Sequence, residues 1–184
     1  MFQAKNPGRG GASFGGKNEK SKDGGHRERR GRDRGGADGI DKDMSQETVE
    51  LARVTRVTKG GKRMRFRACV VVGDKKGSVG FGVAKGADVS NAMKKAVRQA
   101  KKNLFMVPLF NETIPHWTEA KFGAAKVLLK PAPKGSGIIA GGAVRQVLAL
   151  AGVPNVVSKM LGSKNKINNV KATFAALKTL KARR

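Results

Sequence analysis

From Lys62 to Val72 the apolar side chains fall at Met64, Phe66, Ala68, Val70 and Val72, while Arg63, Arg65 and Arg67 hold alternate positions. Period two predicts a half-buried strand with a cationic solvent face. A preceding strand, about Glu50 to Thr58, is reversed by a turn at Lys59-Gly60-Gly61, and Gly73-Asp74-Lys75-Lys76-Gly77 turns the chain into a third strand, Val79 to Ala84. After Lys85-Gly86 the spacing changes. Val89, Ala92, Met93, Ala96, Val97, Ala100 and Leu104 keep the three-four spacing of one helix face, with Asp88 or Ser90 as cap. Lys94, Lys95, Arg98, Lys101 and Lys102 take the rest of that helix, and beside the arginine row they favour RNA over an ordinary solvated face.

Phe105 to Glu112 joins this unit to a second one. Ile114 to Trp117 and Ala124 to Lys130 are strand candidates. The loop Pro131 to Gly137 leads through Ile138-Ile139-Ala140-Gly141-Gly142 into a helix, about Ala143 to Ala151, that Gly152 closes. A strand near Val156 to Leu161 precedes a last helix, capped by Asn168 or Asn169, with Val170, Thr173, Phe174, Leu177 and Leu180 on one side. The fold class is therefore α+β: a three-stranded sheet plus helix, then a second sheet with its helices on one face.

Ahead of both lies a different kind of sequence. Residues 1 to 45 hold eleven of the 25 glycines, few aliphatics, and the triplets Arg9-Gly10-Gly11 and Arg34-Gly35-Gly36. Such a segment buries too little apolar surface to offset its ordering entropy, and is expected to be a disordered arm. Three parts result: the arm at 1–45, an RNA-binding unit at 46–110 and a second unit at 111–184. Lys and Arg number 39 against 13 Asp and Glu, a formal charge of +26. The arm accounts for only +4, leaving +22 for the rest. A chain this basic points to nucleic acid, whose phosphates relieve its self-repulsion. With no apolar run of about 18 residues and no signal-peptide pattern, a cytosolic protein with no membrane partner is expected.

Catalytic and metal readings fare poorly. Cys69 is the single cysteine, and His26 and His116 do not complete a zinc cluster with it at a recognised spacing, so neither metal nor cofactor is expected. Gly77-Ser-Val-Gly80-Phe-Gly82 has its glycines inside a strand rather than opening a helix, unlike a dinucleotide loop. Pro133-Lys-Gly-Ser-Gly137, leading toward a helix, is better placed to hold phosphate through backbone N–H groups, yet Asp88 is the last aspartate and no acid follows to hold magnesium. A phosphotransferase is disfavoured on that ground. Aromatics make up 5% of the chain and tyrosine is absent, which favours phosphate and 2′-hydroxyl contacts on structured RNA over base stacking.

Thr58 to Lys62, Phe66 to Asp74, Gly77 to Gly82, Lys130 to Ala143, and Gly162-Ser163 through Val170 to Thr173 resemble, in order and spacing, the bacterial small-subunit ribosomal protein S5 family. The similarity covers about residues 48 to 180. It implies a double-stranded-RNA-binding-like domain lacking the usual first helix, then a β-α-β domain with a left-handed crossover. The glycine-rich arm departs from the family, whose members commonly start nearer the first strand. The resemblance further implies a non-enzymatic constituent of the 30S subunit. It would bind 16S rRNA where head meets body, touch proteins S4 and S8, and serve decoding accuracy and the mRNA entrance with S3 and S4. Its RNA-facing residues would be Lys59, Gly60, Gly61 and Lys62 in the hairpin loop, beside the spectinomycin site, and Arg63, Arg65 and Arg67 on the strand. Protein contacts would lie around Lys121 to Lys126 and at Gly135, Gly137, Gly141 and Gly142, where tight-turn roles are an equal reading. A free-standing RNA chaperone would share the charge and the arm but bind without a defined footprint.

Overall fold

The computed structural model describes residues 44–181, so the expected arm lies outside the described residues apart from Met44 and Ser45. The first sheet has the order β1 (Ser45–Thr58), β2 (Gly61–Gly73), β3 (Ser78–Gly86) and β4 (Phe105–Met106), antiparallel throughout. Between β3 and β4 runs α1 (Val89–Lys102), with Asp88 at its N-cap. The three predicted strands and helix are present. β4 is an addition: the presumed connector at Phe105 pairs its first two residues with Ser78 and Val79 before leaving the sheet.

The second sheet has the order β5 (Thr118–Phe122), β6 (Ala125–Pro131), β8 (Val156–Gly162) and β7 (Ile138–Ile139). α2 (Gly142–Ala151) carries the chain from β7 to the parallel strand β8, and α3 (Lys166–Thr179) follows. The strand expected at Ile114 to Trp117 does not form; β5 starts one residue later, at Thr118. Pro115 has no N–H to give a ladder, and the fully buried Ile114 packs from a non-strand backbone. The cap of α3 is Asn165, whose Oδ1 accepts from the N–H of Ile167 at 3.1 Å and Asn168 at 3.4 Å. Asn169, expected as a cap, is buried inside the helix and donates from Nδ2 to the Ser163 carbonyl.

β2 also departs from the half-buried strand that period two predicts. Lys62 to Arg65 are exposed on both faces, and Ala68 to Gly73 are buried on both faces. Ala68, Val70 and Val72 pack against Ala92, Ala96 and Ala100 of α1. Cys69 and Val71, which continue the arginine row, join a larger core with Val127, Leu129, Val144, Val147 and Phe174 from the second half. The two sheets thus share apolar surface through the reverse side of the first. Phe81 and Phe105 meet Phe174 with ring centroids at 4.5 and 5.5 Å. Backbone contacts tie the same junction: the N–H groups of Lys75 and Gly77 donate to the carbonyls of Leu150 and Ala151, closing the end of α2.

α1 lies close against β3 because the face of that strand turned toward it carries Gly80, Gly82 and Gly86. A Cβ at Gly80 would fall on the Ala100 carbonyl oxygen, and one at Gly82 on that of Ala96. The glycines at 80 and 82, set aside above as a dinucleotide loop, are a packing stripe for α1.

Burial raises the Cys69 thiol to about 11, with Glu50 adding to the shift and Arg67 and Lys171 opposing it. Folding therefore favours the protonated thiol. Its contribution to stability is complete below the ordinary value of 9.0 and is lost as pH rises toward about 11. Iodoacetamide at pH 8 is expected to leave Cys69 unlabelled in the folded protein and to label it in urea, as intact mass will read. Rapid labelling of the folded chain would contradict its burial.

Candidate nucleic-acid interface

Beyond the end of β3, where Phe66 pairs with Gly86, the β1–β2 hairpin continues as a two-stranded ribbon, and its register decides which cations share a face. Thr58 pairs with Gly61, so the turn proper is Lys59-Gly60. The Thr58 hydroxyl donates to the Gly61 carbonyl at 3.2 Å. Gly61 takes φ +133, which a side chain would strain, whereas Gly60 has an ordinary φ and open space where a Cβ would stand. Only one of the two tip glycines is needed for the backbone.

Arg56 stands directly opposite Arg63, Val54 opposite Arg65, and Arg67 lies between Ala52 and Lys85. One sheet face therefore carries Arg56, Arg63, Arg65, Arg67 and Lys85. Like charges directly opposite in a ladder destabilise it, which applies in full to Arg56–Arg63; at Arg67–Lys85 the Glu50 carboxylate offsets part of the repulsion. Arg56 and Lys85 are not distinguishable from β2's alternation alone, because opposition across strands depends on register. Arg67 differs from the other arginines of the row. Its guanidinium Nη2 lies 3.7 Å from Glu50 Oε2, both side chains half-buried, which draws it into an internal ion pair at the edge of the core. Arg56, Arg63 and Arg65 have no ion-pair partner among the described residues.

The cationic helix does not join this surface. α1 covers the face holding Ala68, Val70 and Val72, and the arginines occupy the opposite one, so the expected pairing of helix and strand charges fails. Lys62, opposite Val57, also falls on the α1 side of the ribbon. That side bears exposed apolar residues, Val57 at 72% and Met64 at 56%.

In the second half, Lys121 and Lys126 stand opposite each other on β5 and β6, and Lys126 pairs with Glu119. The loop between β6 and β7 is closed from inside. Asn155, buried, accepts at Oδ1 from the N–H of Gly135 at 3.0 Å and Gly137 at 3.2 Å, and donates from Nδ2 to the Glu112 carbonyl. These amides are spent on the protein, so the loop is no phosphate cradle. Gly141 is the N-cap of α2 and Gly142 its first residue, Gly141 lying against Met160. Asn155→Ala would leave both loop amides unpaired, at a cost of about 2 kcal/mol in urea unfolding. Asn155→Asp keeps the acceptor and is expected to retain most of that stability; an equal loss in both variants would remove the hydrogen bonds as the cause.

Two family models match the chain: the N-terminal domain of ribosomal protein S5 over residues 44–108, and the C-terminal domain of ribosomal protein S5 over residues 120–184. Together they cover well over half of it.

The chain belongs to the ribosomal protein S5 family.

It is accordingly a structural, non-enzymatic component of the small ribosomal subunit, cytoplasmic and ribosome-associated, that binds rRNA and neighbouring ribosomal proteins. Within the S5 N-terminal domain lie both the arginine ribbon and α1, and within the S5 C-terminal domain lie Lys121, Lys126 and the Asn155-anchored loop. Asp74 completes the turn at the junction of the two sheets: despite a burial penalty, its carboxyl is held below the ordinary range by hydrogen bonds from the amides of Lys76 and Ser78.

Proposed function

We propose that the face bearing Arg56, Arg63 and Arg65 lies along the 16S rRNA backbone, and that the tip Lys59 to Lys62 helps hold the head of the subunit against its body. The observation that carries this reading is the Arg56–Arg63 opposition, without an ion-pair partner among the described residues, on a ribbon extending beyond its own core. Arg67 and Lys85 sit at the inner end of the same face, where Glu50 leaves part of their charge for RNA. In this division, residues 46–110 bind rRNA and residues 111–184 chiefly contact proteins, S4 and S8 among them, through Lys121, Lys126 and the segment Gly135 to Gly142. Contribution to decoding accuracy and to the mRNA entrance beside S3 and S4 follows from family resemblance.

Gly60 separates fold from function, since a Cβ there would meet no atom within 4 Å and the position needs no unusual φ. Gly60→Phe is expected to leave thermal unfolding within about 0.5 kcal/mol of the parent, as for a surface change. Subunits carrying it should respond differently to spectinomycin. Normal assembly with unaltered drug response and translocation rate would reduce the tip to an ordinary turn. A full-length chain that binds 16S rRNA without a defined footprint and fails to sediment with small subunits would favour the chaperone.

A further inference from the structure

Trp117 is the only tryptophan of the chain, and it is 63% exposed. Its backbone is held on both sides. Ile114, just upstream, is fully buried, and Thr118, which follows it, is buried and opens β5 by pairing with Leu129. A segment anchored in this way presents its indole to solvent already ordered, so a ligand that covers it finds little entropy left to remove. Trp117 borders an open cavity of about 440 Å³ whose other walls are His116, Thr118, Glu119 and Thr179.

Apart from the indole these walls are polar, and some of their hydrogen bonds are still to be made. The Thr118 hydroxyl, in a residue only 7% exposed, has no hydrogen-bond partner among the described residues. Lys126 engages Glu119 at Oε1, which leaves Oε2 to accept. Thr179 gives its hydroxyl hydrogen to the Ala176 carbonyl at 2.7 Å and keeps acceptor capacity. The cavity is thus an aromatic face with a rim of acceptors.

An aliphatic anchor would cover the indole but set hydrocarbon against His116, Glu119 and Thr179. A phosphate would meet the Glu119 carboxylate. A nucleobase answers both parts: its π-face covers the indole, and the amine on the edge of cytosine or adenine donates to a carboxylate. Uracil carries no such amine. Lys130, next after the strand partner of Thr118, and Lys159, in one row with Glu119 through Leu128, are exposed cations for the flanking phosphates.

We infer that the Trp117 cavity holds one unpaired, amine-bearing base of the rRNA. The inference rests on the small-subunit reading above and adds to it a contact of another kind, base stacking, made by the half of the chain that lacks the arginine ribbon. The low share of aromatics argues against stacking as the general mode of binding, but one indole is enough for one base.

The chain has no tyrosine, so its ultraviolet emission reports chiefly on Trp117. Titration of the full chain with protein-free 16S rRNA is expected to quench that emission, whereas heparin, a polyanion without bases, should bind and leave it unchanged. Cytosine or adenine oligonucleotides should quench at lower concentration than uracil ones. Trp117→Ala is expected to lower affinity for 16S rRNA about tenfold at an unchanged salt slope, because stacking releases no counterions. Trp117→Phe should recover most of the loss, and thermal unfolding of both variants should match the parent. Emission unaltered at saturating rRNA, equal quenching by heparin, indifference to the base, or parental affinity in Trp117→Ala would overturn the inference. With p-azidophenylalanine at position 117 in assembled subunits, irradiation should give an adduct to one rRNA nucleotide; an adduct to a neighbouring protein would equally overturn it. Failure of the parent chain to bind 16S rRNA or to enter subunits would instead count against the small-subunit reading.

Discussion

Replacing Arg56, Arg63 and Arg65 together with Gln is expected to weaken binding to 16S rRNA by about a hundredfold near 0.1 M salt and to flatten its salt dependence. If each guanidinium neutralises one phosphate on a duplex, the slope of log K against log salt falls by about three, from roughly 0.9 per contact. Gln is shorter but keeps a hydrogen-bonding group without the charge, and the three side chains project from a ribbon outside the core, so thermal stability should hold or rise as the Arg56–Arg63 repulsion disappears. Arg67→Gln is the contrasting variant. Its partner Glu50 would be left half-buried without its cation, so the main expected loss is stability, with a smaller change in slope. Filter binding across a salt series, with unfolding measured on the same preparations, distinguishes the two. An unchanged slope in the triple variant would remove this face from the RNA interface.

Gly82→Val is expected to be the most damaging single change to the fold. The added Cβ would stand on the Ala96 carbonyl oxygen and 2.8 Å from the Ala100 amide nitrogen, both backbone atoms of α1 that no rotamer change can move aside. The helix must lift from the sheet, opening the small core of Ala68, Val70, Val72, Ala92, Ala96 and Ala100. About 3 kcal/mol is a fair cost for overpacking of this kind. For a folded unit of this size it corresponds to a fall in Tm of roughly 6–12 °C. A Tm within two degrees of the parent would show that α1 does not rest on the β3 backbone as described. Because α1 covers the side of the sheet opposite the arginines, any residual folded fraction of Gly82→Val should retain its salt slope, which separates a folding defect from an RNA defect.

Element type was legible along most of the chain because it depends on local periodicity. Alternation at Lys62 to Val72 and three-four spacing at Val89 to Leu104 are properties of one strand and one helix, and both elements are present. Failures occurred where a local rule met a competing partner. Ile114 is apolar enough for a strand, but Pro115 cannot donate to a ladder, and the buried side chain is held without one. Asn168 and Asn169 are plausible caps by composition, yet Asn165 is the residue that reaches the first free amides of α3.

The sequence by itself determined the α+β class, the two hairpins and the presence of an arginine row, each from spacing within short segments, and the family from linked motifs spread over about residues 48 to 180. Which residues share the face proposed for RNA was decided by tertiary structure. Period two states that the two faces of β2 differ, but says nothing about what covers either. Docking of α1 on Gly80 and Gly82 takes one face, and the second half, with its core at Cys69 and Val71, takes the inner end of the other. Cross-strand register then sets Arg56 against Arg63 and leaves Arg67 beside Glu50. These outcomes depend on contacts between residues far apart in the chain, whose energies are invisible to any window short enough to reveal a period.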